Sequence, residues 1–211
     1  MRVFLAACLM ALVLAVSSGS ARAAMWTSGG LTFSDELGGF RLISVSGSGT
    51  IADPIVIVEE LRDVAPAVLV IRGKPVNDGK QFEIPRFIHL AVIKIVVNSS
   101  KRVWAGFDLE LQEVLKMPSS YGDGLSFDQI GSFGAAPFRS DSFAISDRLS
   151  EPYDRVSYLD GHVDPGATAR FNFVITDPTP AAEFYLVQEP RLLIAERPPD
   201  APADMVQQAA R

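Results

Sequence analysis

The sequence predicts an all-β protein built as a single antiparallel β-sandwich with little helix. Three observations predict it: strict two-residue alternation in several segments, short runs of β-branched residues, and turn residues between them. Residues 55–58 (Ile-Val-Ile-Val), launched by Pro54, and residues 68–71 (Val-Leu-Val-Ile), launched by Pro66, are too short for helices and suit a pleated surface. Arg72-Gly73-Lys74-Pro75 is expected to close the second. Asn77-Asp78-Gly79 then supplies residues that tolerate positive φ. Residues 93–97 (Ile-Lys-Ile-Val-Val) form a third run of the same kind. Such continuous runs read as central strands, or as strands covered on the outside by the N-terminal segment.

Phe107-Asp108-Leu109-Glu110-Leu111-Gln112-Glu113 alternates strictly. Its apolar side chains fall on one face and its charges on the other, as a half-buried antiparallel strand requires. Asp123-Gly124 and Asp160-Gly161 mark turns, and a short helical turn fits residues 126–130. Asp164-Pro165-Gly166-Ala167 fits a type II turn, with proline presetting φ at the second position and glycine taking positive φ at the third. Arg170 to Thr176 repeats the alternation and Asp177-Pro178 ends it. Residues 184–187 and 192–194 complete the series, separated by Glu189-Pro190. Strands at this spacing number roughly nine or ten, the scale of one immunoglobulin-like or jelly-roll-like sandwich.

At 211 residues the chain fits one such domain behind a leader. Arg2 precedes an unbroken apolar stretch over residues 3–16, then a short polar segment and Ala21-Arg22-Ala23. That is the pattern of a cleaved export signal, residues 1–23, with cleavage between Ala23 and Ala24. The stretch is too short for a membrane-spanning helix, which needs about 20 residues. Leu5-Ala6-Ala7-Cys8 has the letters of a lipobox, but the apolar run continues past Cys8. Loss of the leader removes Arg2, Arg22 and the single cysteine, taking the formal charge from −6 to −8. The expected product is a periplasmic or secreted protein without disulfides, held by its own core over residues 27–196. A Pro/Ala-rich tail follows at residues 197–211. Negative charge and the lack of a basic stripe argue against nucleic acid as a partner, and no later run is long enough to span a membrane.

Chemistry-bearing patterns are sparse. His89 lies in a strand and His162 at a turn, too few for a zinc site and without a nucleophile elbow. Glu110, Glu113, Asp123 and Asp128 are the carboxylates that could serve a polysaccharide hydrolase or lyase. Glu110 and Glu113, of unlike parity, are expected to face opposite ways. Asp123 with Asp128, and Asp160 with Asp164, are acidic loop pairs of the kind that calcium, a hard cation, prefers. Trp104, Tyr121, Tyr153 and Tyr158 flank loops; Trp104 reads as a core plug and the tyrosines as candidates for a contact platform.

Two stretches carry resemblances. Gly47-Ser48-Gly49-Thr50-Ile51-Ala52-Asp53-Pro54-Ile55 is similar to the opening of secreted parallel β-helix proteins of the pectate-lyase-like kind, but the rungs of that fold do not follow. Asn98-Ser99-Ser100-Lys101-Arg102-Val103-Trp104-Ala105-Gly106-Phe107, with Gly161-His162-Val163-Asp164-Pro165-Gly166-Ala167-Thr168, resembles uncharacterised exported bacterial β-sandwich modules over about 80 residues. That resemblance implies fold and export, not activity. The expected function is therefore a non-enzymatic exported module that binds a protein or glycan partner through its loops, including 121–128, or serves an envelope structural role. The alternatives are a carboxylate-dependent polysaccharide hydrolase or lyase and a calcium-stabilised adhesion module.

Overall fold

The computed structural model describes residues 23–119, 122–128, 138–149 and 154–193. The leader up to residue 22, the tail, Tyr121 and Tyr153 lie outside the described residues. Among the described residues the chain is all strand, turn and loop, with no helix. The short helical turn expected at 126–130 is not formed where it is described: Ser126 bridges to Thr176 and a bend follows at 127–128.

Thirteen strands are described: β1 (Met25–Ser28), β2 (Leu31–Ser34), β3 (Phe40–Ser46), β4 (Ile55–Leu61), β5 (Ala67–Val76), β6 (Gln81–Glu83), β7 (Ile88–Asn98), β8 (Trp104–Gln112), β9 (Arg139–Ser140), β10 (Phe143–Leu149), β11 (Arg155–Gly161), β12 (Thr168–Asp177) and β13 (Glu183–Leu192). One sheet has the order β1-β2-β5-β13-β8-β11-β10, with β6 added to β5. The other has the order β3-β4-β7-β12-β9. The expectation of purely antiparallel pairing is corrected at one place, where β4 and β7 run parallel. Parallel neighbours need a crossover, and the chain makes it by visiting the eight-stranded sheet as β5 and β6 between them.

The sheets face one another across a single core fed by both. Phe107 of β8 stacks on Phe171 of β12 with ring centroids 4.6 Å apart, and Tyr158 of β11 meets the same ring at 4.8 Å. The Tyr158 hydroxyl donates to the Asn172 carbonyl at 2.9 Å, so this tyrosine ties the two layers together. Trp104 is fully buried beside Phe107. The aromatics expected near loops are thus core residues wherever they are described.

Two prolines expected from the sequence to end or interrupt a strand sit inside one. β5 continues through Pro75, where it has left the main sheet and pairs only with β6. β13 continues through Pro190, opposite Phe107, beyond Gln188, the last residue paired with β5. Each proline therefore stands where a flank of its strand carries no ladder, the setting in which a missing N–H is tolerated. The β5–β6 hairpin turns through Asn77, Asp78 and Gly79, all at positive φ. Gly166 has φ of 83° at the third position of the 164–167 turn, which closes with the Ala167 N–H donating to the Asp164 carbonyl at 3.0 Å.

Candidate functional site

β7 has an inside-out pattern. Ile88, Leu90, Val92, Lys94, Val96 and Asn98 point into the core, while Ala91, Ile93, Ile95 and Val97 stay partly exposed. On parallel β4, Val56 lies beside Ile93 and Val58 beside Ile95. The outer face of the five-stranded sheet is therefore a stripe of six aliphatic side chains on its two central strands. Read from the sequence as covered on both sides, these runs have one face partly open to solvent among the described residues. Asn172 and Arg170 of β12 lie across from Ile93 and Ile95, and Arg139 of β9 pairs with Asn172. Ile93, Arg139, Arg170 and Asn172, together with Ile51 and Pro54, line an open hollow of about 300 Å³. Arg139 and Arg170 make no ion pair among the described residues.

The opposite outer face is ionic. On β8, Asp108 accepts from Arg191 Nε at 2.7 Å and lies 3.8 Å from Arg155, which also reaches Glu110 at 3.7 Å. Arg72 of β5 joins Glu36 to Glu183. The charged face of β8 was expected to meet water, yet Asp108 is only 4% exposed and Gln112 8%. β8 lies between β13 and β11, and the arginine stems from β11 and β13 spread over it.

A third cluster lies at one end of the molecule. Glu113 is just past the end of β8, so the parity argument that set it apart from Glu110 does not apply. Asp123 and Glu113 line one small hollow of about 180 Å³. Burial holds the Asp177 carboxyl at about 6, with Glu113 and Asp123 adding like charge, against the Thr179 N–H that donates to it at 2.9 Å. Glu113 is raised too, by burial and by Asp123. A carboxyl whose folded pKa lies above its unfolded value near 3.9 holds extra protons when folded, so stability falls as pH rises from about 4 through 6. Asp177→Asn keeps the acceptor for Thr179 and removes the charge. It is expected to gain roughly 1–2 kcal/mol at pH 7.5 and nothing near pH 4 in urea melts. Equal effects at both pH values would contradict the repulsion.

The residues singled out in the sequence are scattered. Asp123 accepts from Ser119 Oγ and the Leu125 N–H, an ordinary turn role. Asp128 is buried with φ of 50°, in a segment whose Leu125, Ser126 and Phe127 are also buried. Residues 125–128 of loop 121–128 are thus built into the core, while Gly122 is exposed and Asp123 and Gly124 are half-buried. Asp160, at positive φ, is the next-to-last residue of β11, and Asp164 starts the 164–167 turn. Among the described residues no three of His, Cys, Asp and Glu gather as metal ligands. His89 stands on β7 beside the Phe87 ring, and His162 is exposed between β11 and β12. No helix among the described residues is long and apolar enough to cross a membrane.

Sequence reasoning missed the polar group inside the core. Glu59 of β4, Lys94 of β7 and Gln188 of β13 are all fully buried. Lys94 Nζ lies 2.5 Å from Glu59 Oε2. Burial raises the Glu59 carboxyl and lowers the Lys94 amine, and each opposes the shift of the other. Gln188 is buried on the facing sheet, and among the described residues neither of its amide atoms nor Glu59 Oε1 makes a hydrogen bond. A lysine in a run of isoleucine and valine was the available signal. Its parity with Leu90, Val92 and Val96 placed it inward, but a run apolar on both faces hides which parity is the inner one. Comparison with known protein families, with curated proteins and with solved structures finds no match to this chain.

Proposed function

We propose that the protein is an exported, non-enzymatic β-sandwich module that binds an acidic protein partner through the outer face of its five-stranded sheet. The observation that carries this reading is the aliphatic stripe Val56, Val58, Ala91, Ile93, Ile95 and Val97 with Arg139 and Arg170 at its border. A contiguous apolar stripe left half-exposed and rimmed by polar groups fits an interaction site. The two arginines, whose guanidinium groups make no ion pair among the described residues, select acidic side chains beside the partner's apolar segment. The Ala24 N–H supports export: it donates to Asp35 Oδ1 at 2.7 Å, and cleavage after Ala23 would place a free ammonium on that carboxylate.

The hydrolase alternative has less support. Asp108 and Glu110 are engaged by arginine. The hollow beside Glu113 and Asp123, about 180 Å³, is below the 300–1,000 Å³ of ordinary ligand pockets.

A photo-crosslinking residue placed at Ile93 in the exported protein tests the reading. It is expected to trap a protein that the same probe at Val187, on the ionic face, does not. Arg139→Glu with Arg170→Glu is expected to reduce that adduct by about tenfold, as reversed rim charges slow encounter. No adduct from position 93, the same adduct from both positions, or indifference to charge reversal would each refute the assignment.

A further inference from the structure

The nitrogen of Ala24 meets an acceptor that the fold has already placed. Asp35 Oδ1 accepts from the Ala24 N–H at 2.7 Å, and Asp35 Oδ2 accepts from the Leu42 N–H at 2.9 Å. The Asp35 N–H donates back to the Ala24 carbonyl at 3.4 Å. One carboxylate thus joins the residue before β1 to the end of β2 and to β3, a strand of the other sheet. Ala24 packs against the core, while Ala23 is exposed.

We propose, resting on the export reading, that Asp35 is the receptor for the α-ammonium of the mature chain, so that removal of the leader itself strengthens the fold. Before cleavage the Ala24 nitrogen is an uncharged amide with one hydrogen. Hydrolysis of the Ala23–Ala24 bond consumes one water, leaves Ala23 with a carboxylate and frees the Ala24 nitrogen as an ammonium. The bond to Asp35 then carries charge on both partners. The Leu42 N–H already holds the carboxylate in place, so little side-chain freedom is lost when the pair forms.

The charges around the pair are engaged elsewhere. β1 and β2 carry no ionisable side chain. Glu36 and Glu183 both lie on Arg72, and Arg41 lies on Glu60. An α-amine whose folded pKa is raised above its unfolded value of about 7.7–8.0 adds stability that is complete below that value and is lost as pH rises through the folded one. The precursor, with an amide at Ala24, lacks this contribution and stays the less stable form until the leader is cut.

Two purified chains that differ by one residue test the pairing. One begins at Ala24. The other begins at Ala23, which keeps the peptide bond of the precursor and moves the charge out to an exposed residue. In urea melts at pH 6.5 the Ala24 chain is expected to have a folding equilibrium constant about fivefold larger, the upper range for a partly exposed ion pair. The difference should vanish at pH 10 and in Asp35→Asn. By NMR the α-amine of the Ala24 chain should titrate above about 7.7–8.0, a readout that does not depend on any variant folding. Equal stability at pH 6.5, a difference that survives pH 10 or Asp35→Asn, or an ordinary amine titration would overturn the receptor role alone. N-terminal sequencing of the exported protein tests the reading beneath it: a first residue other than Ala24 would overturn the cleavage assignment, and the device with it, even where the Ala24 chain pairs as expected.

Discussion

Lys94→Met is expected to destabilise the protein by about 3–5 kcal/mol at pH 7.5, the usual cost of removing one partner of a buried ion pair. The lysine is fully buried and its amine lies 2.5 Å from Glu59. Methionine fills similar space but leaves the Glu59 carboxyl with neither counter-charge nor water. The carboxyl answers by holding its proton. Its folded pKa then lies well above its unfolded value, so stability should rise as pH falls, and the deficit should be smaller at pH 5 than at pH 7.5. Lys94→Met with Glu59→Leu removes both polar groups and should recover most of the loss, since a well-packed apolar pair often matches a buried ionic one. Both variants lack the lysine, so the difference between them isolates the stranded carboxyl. Urea melts at the two pH values read all of this. A Lys94→Met deficit independent of pH, or a double variant no better than the single one, would show that packing rather than charge sets the cost.

The sequence disclosed the strands whose surroundings are symmetric. The runs at 55–58, 68–71, 93–97, 107–112, 170–176 and 184–187 fall within β4, β5, β7, β8, β12 and β13. All six are interior strands of their sheets, where propensity and burial agree, although β2 and β11, also interior, were not read. Strands at the margins were harder to place. β3 carries a register shift between Leu42 and Ser44, which leaves Ile43 exposed and breaks the period of two. β10 is an edge strand whose Ala144 to Arg148 are all exposed, so it has no apolar face to announce it. The candidate site was legible only as composition. The stripe of Ile93, Ile95 and Val97 was visible as apolar residues, but whether a second layer covered them depends on tertiary packing. The arginines beside them come from β9 and β12, about 45 and 75 residues further along the chain. Periodicity reports the faces of one strand and says nothing of which distant strand borders it.

Asn98 is the residue whose role the sequence motif carried most directly, because a strand ending in asparagine before a turn and a Trp-x-Gly-Phe is what the structure builds. Its side chain uses its full capacity in a site with no solvent exposure. Nδ2 donates to the carbonyls of Arg102 and Val163 at 2.9 and 3.0 Å. Oδ1 accepts from the Ser100 N–H at 3.1 Å and from the Ser100 hydroxyl at 2.6 Å. The side chain thus fixes the turn between β7 and β8 and holds it to the segment that leads into β12. Asn98→Ala is expected to cost about 3 kcal/mol, because buried groups that lose a partner cost about 1–3 kcal/mol each and Val163 O keeps its bond from the Trp104 N–H. Asn98→Asp separates geometry from chemistry. It keeps the shape and the acceptor for Ser100 but turns a carboxylate toward two carbonyl oxygens, so it should be worse than alanine at pH 7.5. Its folded pKa must then lie above the unfolded value, so its stability rises as pH falls, and the protonated acid can restore one donated bond. The order of the two variants should therefore narrow or invert by pH 4.5. An aspartate variant as stable as wild type at neutral pH would mean that the two donated bonds contribute nothing and that the turn is held by its backbone alone.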